Sequence, residues 1–126
     1  MVVVKKRGNT RFFLKGNRND FVNAPIGTVV DSTVVKNEGN EFYLVSQSSR
    51  QGTVAPTHFH VIEGGQHIPT ERLQILNYQF THMYYNWPCQ FRVPAQCHYA
   101  HKLAHLVGES LHRPHQPGLD ELLFYL

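Results

Sequence analysis

The sequence is short of several things, and each shortage excludes a class. It has two cysteines, Cys89 and Cys97. Two thiols make neither a disulfide scaffold nor a four-cysteine zinc site, so a reducing compartment, cytoplasm or nucleus, is the default expectation. No apolar run approaches the roughly 20 residues of a membrane-spanning helix, and no secretory leader is legible at the start; no membrane partner is expected. Charged residues are sparse, at 17%, and aromatics frequent, at 12%, which argues against a disordered chain. No Ser-His-Asp arrangement, phosphate-binding glycine loop or zinc-protease helix motif is present. Acid is missing from the first 18 residues altogether.

What is there suits one domain. The 126 residues are 41% hydrophobic, enough for a core. Net charge is only +3, but Lys5, Lys6, Arg7, Arg11, Lys15 and Arg18 put six of the twelve basic residues at one end. Such a patch points to a polyanion; the alternative is a solvated loop.

Val2-Val3-Val4 reads as a strand buried on both faces, with no cap or turn before it. A strand that begins inside a sheet predicts a chain cut from a longer domain. Gly8-Asn9 makes a turn, and Arg11 to Leu14 reads as a second strand. Lys15 to Asn23 reads as a loop. Gly27 to Asp31, Phe42 to Ser46 and His58 to Ile62 read as further strands. A helix starts at Pro69-Thr70, carries Leu73, Leu76, Phe80 and Met83/Tyr84 at helical spacing, and stops at Trp87-Pro88. Phe91 to Val93 reads as a brief strand. Pro94 opens a second helix to about Leu111, and Leu119 to Leu126 is apolar. Strands followed by two helices predict an α/β domain.

Nine histidines are many for this length. His98, His101, His105 and His112 cluster on one side of the second helix. Tyr99, Leu103, Leu106, Val107 and Leu111 lie nearly opposite, as a core face. Three readings stand: a metal site, polar surface residues, or one histidine completing a site whose other ligands come from elsewhere. No acid or cysteine is matched to the row, and structural zinc wants four ligands. His58 and His60 alternate on a strand and share a face, as half-buried residues with polar partners.

Five segments in order resemble the C-terminal part of the PIWI domain of Argonaute/PIWI proteins, in its PIWI branch. They are VVVKKRGNTRFF (2–13), PIGTVVD (25–31), FYLVSQSSRQGTVAPTHFHVI (42–62), QILNYQFTHMYYNW (74–87) and RVPAQCHYAHKLAHLVGESLHR (92–113). YAHKLA and MYYNW are the most specific, and the closing LFYL (123–126) resembles the PIWI-branch terminus. The resemblance covers residues 1–126 as one partial domain. It implies the C-terminal portion of an RNase H-like fold, a mixed sheet with two main helices. It further implies binding of a small, piRNA-like guide RNA, with target RNA and other pathway proteins as partners, in RNA-mediated silencing. The location implied is cytoplasm, germ granules or nucleus.

Active relatives cut target RNA with two Asp, a Glu and a fourth Asp or His that hold two divalent metals, Mg²⁺ or Mn²⁺. His101 matches the fourth position; the carboxylates would lie before Val2, so this chain alone is not expected to cleave. Asp31 matches a position that is not catalytic. The resemblance implies that Lys6, Arg7, Arg11, Gln47, Gln51, Thr53 and Arg92 contact the guide backbone, with Tyr84, Asn86 and His98 nearby. Tyr84 alternatively packs at the helix end. The Leu126 carboxylate is implied to help hold Mg²⁺ beside the guide's 5′ phosphate. Departures sit at Gln96, His98 and His105, in a shortened VVKNEGNEF loop, and at Glu63-Gly64-Gly65. Two other readings remain: a noncatalytic protein-interaction remnant, and a histidine-rich metal-binding module.

Overall fold

The computed structural model describes residues 1–17, 20–35, 40–62 and 68–126. Arg18 and the Glu63-Gly64-Gly65 loop lie outside the described residues, as do 36–39 of the shortened loop. A four-stranded sheet has the order β1 (Val2–Lys5), β6 (Thr57–Val61), β5 (Asn40–Leu44), β4 (Val29–Val30). Each of its pairings is antiparallel. A separate hairpin joins β2 (Phe13–Lys15) to β3 (Phe21–Asn23). Two helices follow, α1 (Thr70–Phe80) and α2 (Ala95–Leu106). The chain therefore has the expected α/β layout of a sheet with two main helices. Among the described residues no helix is long and apolar enough to cross a membrane.

Period-2 alternation builds the core. In β6, Thr57, Phe59 and Val61 are buried while His58 and His60 are half-buried. Phe59 opposes Phe42 across β5 and Val4 across β1. The Phe42 and Phe59 rings stack at 4.8 Å, and neither is accessible to solvent. Leu44, Val61 and Leu73 of α1 complete this cluster, with Val2, Val4, Val29 and Tyr78 packed around it. Each fully buried ring contributes about 1.5–3 kcal/mol relative to exposure. A second, smaller cluster joins Ala24, Val45 and Val54, with Phe12 against it.

The opposite sheet face is polar. Glu41 lies between His58 and His60, with its oxygens 3.3 Å from His58 Nε2 and 3.1 Å from His60 Nδ1. The His58 approach falls outside hydrogen-bond geometry. Tyr43 stacks on His58 at 4.5 Å. The two histidines are thus half-buried with an acidic partner, as the alternation predicts.

Several elements differ from expectation. β1 is half-buried rather than doubly buried, and among the described strands it pairs only with β6. The stretch read as a loop contains β3, because Phe21-Val22 can pair with Leu14-Lys15; β2 accordingly starts at Phe13 instead of Arg11. β4 is two residues long, β5 ends at Leu44, and β6 runs one residue earlier than read. Helix α1 stops at Phe80, seven residues before Trp87. There the Thr81 hydroxyl donates back to the Tyr78 carbonyl at 2.6 Å. The Thr81 carbonyl accepts from the Phe91 N–H at 2.8 Å, and the Tyr85 N–H donates to the Tyr99 hydroxyl at 3.0 Å. Backbone groups that would extend the helix are therefore spent on tertiary partners.

Phe91 to Val93 forms a bend instead of a strand. α2 passes into a wider π-type turn over Val107–Leu111, closed by left-handed His112. Its apolar side is not a full core face. Tyr99, Leu103, Leu106 and Val107 are half-buried and Leu111 is exposed, because the main core forms between the sheet and α1. The C-terminal tail covers part of that side, with the Tyr125 ring 6.3 Å from Tyr99.

Candidate nucleic-acid interface

The site begins with how Arg92 is held. The Ser46 and Thr57 hydroxyls, both buried, donate to the Arg92 carbonyl at 2.9 and 2.7 Å. They pin the bend before α2 to the centre of the sheet. Arg92 Nη2 in turn donates to the Lys6 carbonyl at 2.7 Å. The exit of β1, the end of β5 and the entrance to α2 thus meet at one residue.

A cleft of about 330 Å³ lies at that meeting point, lined by Lys6, Gln47, Phe91, Arg92, Val93, His98 and His101. Five of the residues singled out in the sequence, Lys6, Gln47, Arg92, His98 and His101, share it. Gln47 and Arg92 also line a neighbouring polar cleft of about 370 Å³ with Ser48, Ser49, Arg50 and Thr53. Lys6 and Arg50 are exposed cations at the two clefts. The shared Gln47 and Arg92 join the two clefts into one track with an exposed cation at each.

The other expected contacts divide. Arg7 is exposed beside Lys6, and Gln51 is exposed on the 47–56 loop, where its carbonyl accepts from the Ser49 hydroxyl. Arg11 turns inward. Its Nε donates to Thr53 Oγ1 at 3.1 Å, and its Nη1 to the Gly8 and Thr10 carbonyls at 2.9 and 2.7 Å. Tyr84 packs among Phe91, His98 and Tyr99, with Lys102 Nζ 5.8 Å from its ring centre. Asn86 is exposed.

His98 does not look away from the packed interior, as the helix wheel suggested. It is half-buried, 4.5 Å from the Phe91 ring and 4.9 Å from Tyr84, because residues 81–93 fold back over the start of α2. Its Nε2 is buried without a hydrogen-bond partner. Burial pushes its pKa below the ordinary 6.5, and the positive charges of Lys6 and His101 push it the same way. Burial also raises the Cys97 thiol, against a smaller lowering by Lys6. His101, His105 and His112 are exposed. His105 Nδ1 lies 3.4 Å from Glu109 one turn on, so that imidazole carries no burial penalty.

Leu126 lies elsewhere. It lines a separate cleft of about 460 Å³ with Lys102, His105, Glu109 and Ser110. Sequence reasoning missed one residue of the track, Arg50, and one that holds its loop from outside, Asn23. Arg50 stood in a hydroxyl-rich loop, a legible signal. Asn23 touches that loop from another element, which no local pattern announces.

Residues 1–112 match the Piwi domain. The chain belongs to the Piwi domain family. It is 53% identical to Piwi-like protein 3 of Homo sapiens over 99% of its length, and 48% identical to protein aubergine of Drosophila melanogaster over 99%. It spans about 14% of the length of each of these relatives. Drosophila Piwi superposes with a TM-score of 0.81 at 46% identity, over 99% of this chain and 17% of that one. An Argonaute of Kluyveromyces polysporus, crystallised with a guide RNA, shares the fold at a TM-score of 0.67 and 22% identity, over 81% of this chain and 13% of its own. The architecture is the C-terminal portion of an RNase H-like PIWI domain.

The implied divalent metal does not fit the described residues alone. Among them no three His, Cys, Asp or Glu side chains are grouped to hold an ion. The cleft that takes His101 supplies two cations and a second imidazole, whereas Mg²⁺ and Mn²⁺ favour oxygen ligands.

Proposed function

We propose that this part of the PIWI domain lays the sugar–phosphate backbone of a small, piRNA-like guide RNA along the track from Lys6 to Arg50, in a protein of RNA-guided silencing. The observation that carries the reading is the shared cleft. Lys6, Gln47, Arg92 and His101 come from three separate stretches of sequence and line one hollow. Lys6, Arg7 and Arg92 bring positive charge to phosphates, which gives affinity without base identity. Gln47, Gln51 and Thr53 supply neutral hydrogen-bonding groups along the same loop, and Arg11 enters it through Thr53.

The PIWI resemblance implies that His101 would join carboxylates from outside these residues in a divalent-metal centre for target cleavage. This chain's contribution is then guide binding plus one imidazole ligand, and these residues alone are not expected to cut.

The test is charge reversal. Lys6→Glu with Arg7→Glu, in the intact protein, abolishes binding of a short 5′-phosphorylated RNA at moderate salt. At lower salt the residual binding has a flatter salt dependence, by about 0.7 in slope for each phosphate no longer neutralised. Unchanged affinity and slope would reject the reading.

A further inference from the structure

Asn23 ends β3, on a hairpin that lines neither cleft, yet its side chain reaches the loop that does. Its Nδ2 donates to the Gly52 carbonyl at 2.9 Å, and its Oδ1 accepts from the Val54 N–H at 3.1 Å. One partner is an acceptor and the other a donor, so the amide has only one satisfactory orientation. Between these two bonds the backbone turns at Gly52, whose φ of +76° suits glycine. Beyond them Val54 is buried with Ala24 and Val45. Arg11 holds Thr53 from the same side of the molecule. The loop residues Gln47, Arg50 and Thr53, with Ser48 and Ser49, line the polar cleft. Few other bonds order that loop among the described residues.

We propose that Asn23 is a positioning residue for RNA binding. Its amide clamps the turn at Gly52 and so presents the 47–54 loop to the sugar–phosphate backbone, without Asn23 touching the RNA. The inference rests on the guide-binding reading above. It makes a distinction that the charged contacts do not share: removing the clamp costs affinity but releases no fewer counterions.

The experiment uses the intact protein and a short 5′-phosphorylated single-stranded RNA, with affinity measured across a salt series. Wild-type binding with a salt-dependent affinity establishes the underlying reading first; absence of wild-type binding overturns both. Asn23→Ala is expected to weaken binding about ten-fold, as the loss of two hydrogen bonds would, with the wild-type salt slope retained. Hydrogen exchange at the Val54 amide, deprived of its acceptor, speeds up in the same variant while the β5 and β6 amides stay protected. Gly52→Ala strains the same turn by another route, since the added methyl meets open space but φ stays positive. It is expected to weaken binding similarly, and the double variant to lose less than the sum of the two. Faster exchange at Val54 with unchanged affinity would overturn the proposal. A salt slope reduced in Asn23→Ala would overturn it too, because the residue would then govern a phosphate contact directly.

Discussion

Arg92 Nη2 lies 2.7 Å from the Lys6 carbonyl oxygen, joining positions 86 apart in the chain with one charge-assisted bond. The same Arg92 offers its own carbonyl to two buried hydroxyls. Side chain and backbone of one residue therefore tie the exit of β1 to the sheet and to α2. Arg92→Lys keeps the charge but loses the planar fork. It is expected to weaken RNA binding several-fold and to loosen the end of β1, read as faster hydrogen exchange at Lys5 and Lys6. Wild-type affinity in that variant would show that charge alone suffices.

The hydroxyl pair gives a second expectation. Thr57→Val and Ser46→Ala each remove one donor to the Arg92 carbonyl, at about 1 kcal/mol apiece. Together they leave a carbonyl without either buried partner, which costs about 1–3 kcal/mol more than a bond exchanged for water. The double variant should lose more than the sum, in denaturant unfolding of the intact protein. Simple additivity would mean that water replaces the hydroxyls.

His98 makes stability depend on pH. Its folded pKa lies below the ordinary 6.5, chiefly through burial and then through Lys6 and His101. The unfolded chain therefore binds the proton more readily. The contribution is fully present above 6.5 and is lost as pH falls from there through the lower folded value. His98→Gln should flatten the stability profile in that window. Lys6→Ala should move the His98 titration upward in an NMR experiment, and a titration unmoved by it would show that Lys6 does not act on the ring.

The Phe42–Phe59 stack supports everything above it. Phe59→Ala is expected to cost about 3–5 kcal/mol, whereas Phe59→Leu keeps most of the buried volume and should cost less. Denaturant midpoints of the two variants check the order, and equal midpoints would contradict it.

Leu126 offers a test at the other cleft. Deleting it removes the side chain from the cleft it lines with Lys102 and His105 and shifts the terminal carboxylate by one residue. Binding of a 5′-phosphorylated RNA should weaken in Mg²⁺, while a 5′-hydroxyl RNA is unaffected. Equal binding by the truncated and intact proteins, with and without Mg²⁺, would remove the terminal carboxylate from guide binding.

What could be read from the sequence followed the range of the forces involved. The alternation in Thr57–Val61 announced a one-sided strand, because side-chain direction is a local property. Its polar face, with His58 and His60, was legible for the same reason, although their partner Glu41 was not. The end of α1 was misplaced because the groups that stop it, the Phe91 N–H and the Tyr99 hydroxyl, lie ten or more residues downstream. β3 was missed because three residues of hairpin carry little periodicity. The grouping of Lys6, Gln47, Arg92 and His101 came from the resemblance to PIWI domains, since no spacing joins residues so far apart. Asn23 carried no signal at all: a lone asparagine after two apolar residues looks like any turn former.

The outer flank of β1 governs how these residues behave when prepared by themselves. Its backbone faces β6 on one flank and no described strand on the other. Bare amides and carbonyls in a row are a template for a second copy. Isolated material should scatter more light as its concentration rises, and a lysine or proline placed along that flank should keep it dispersed.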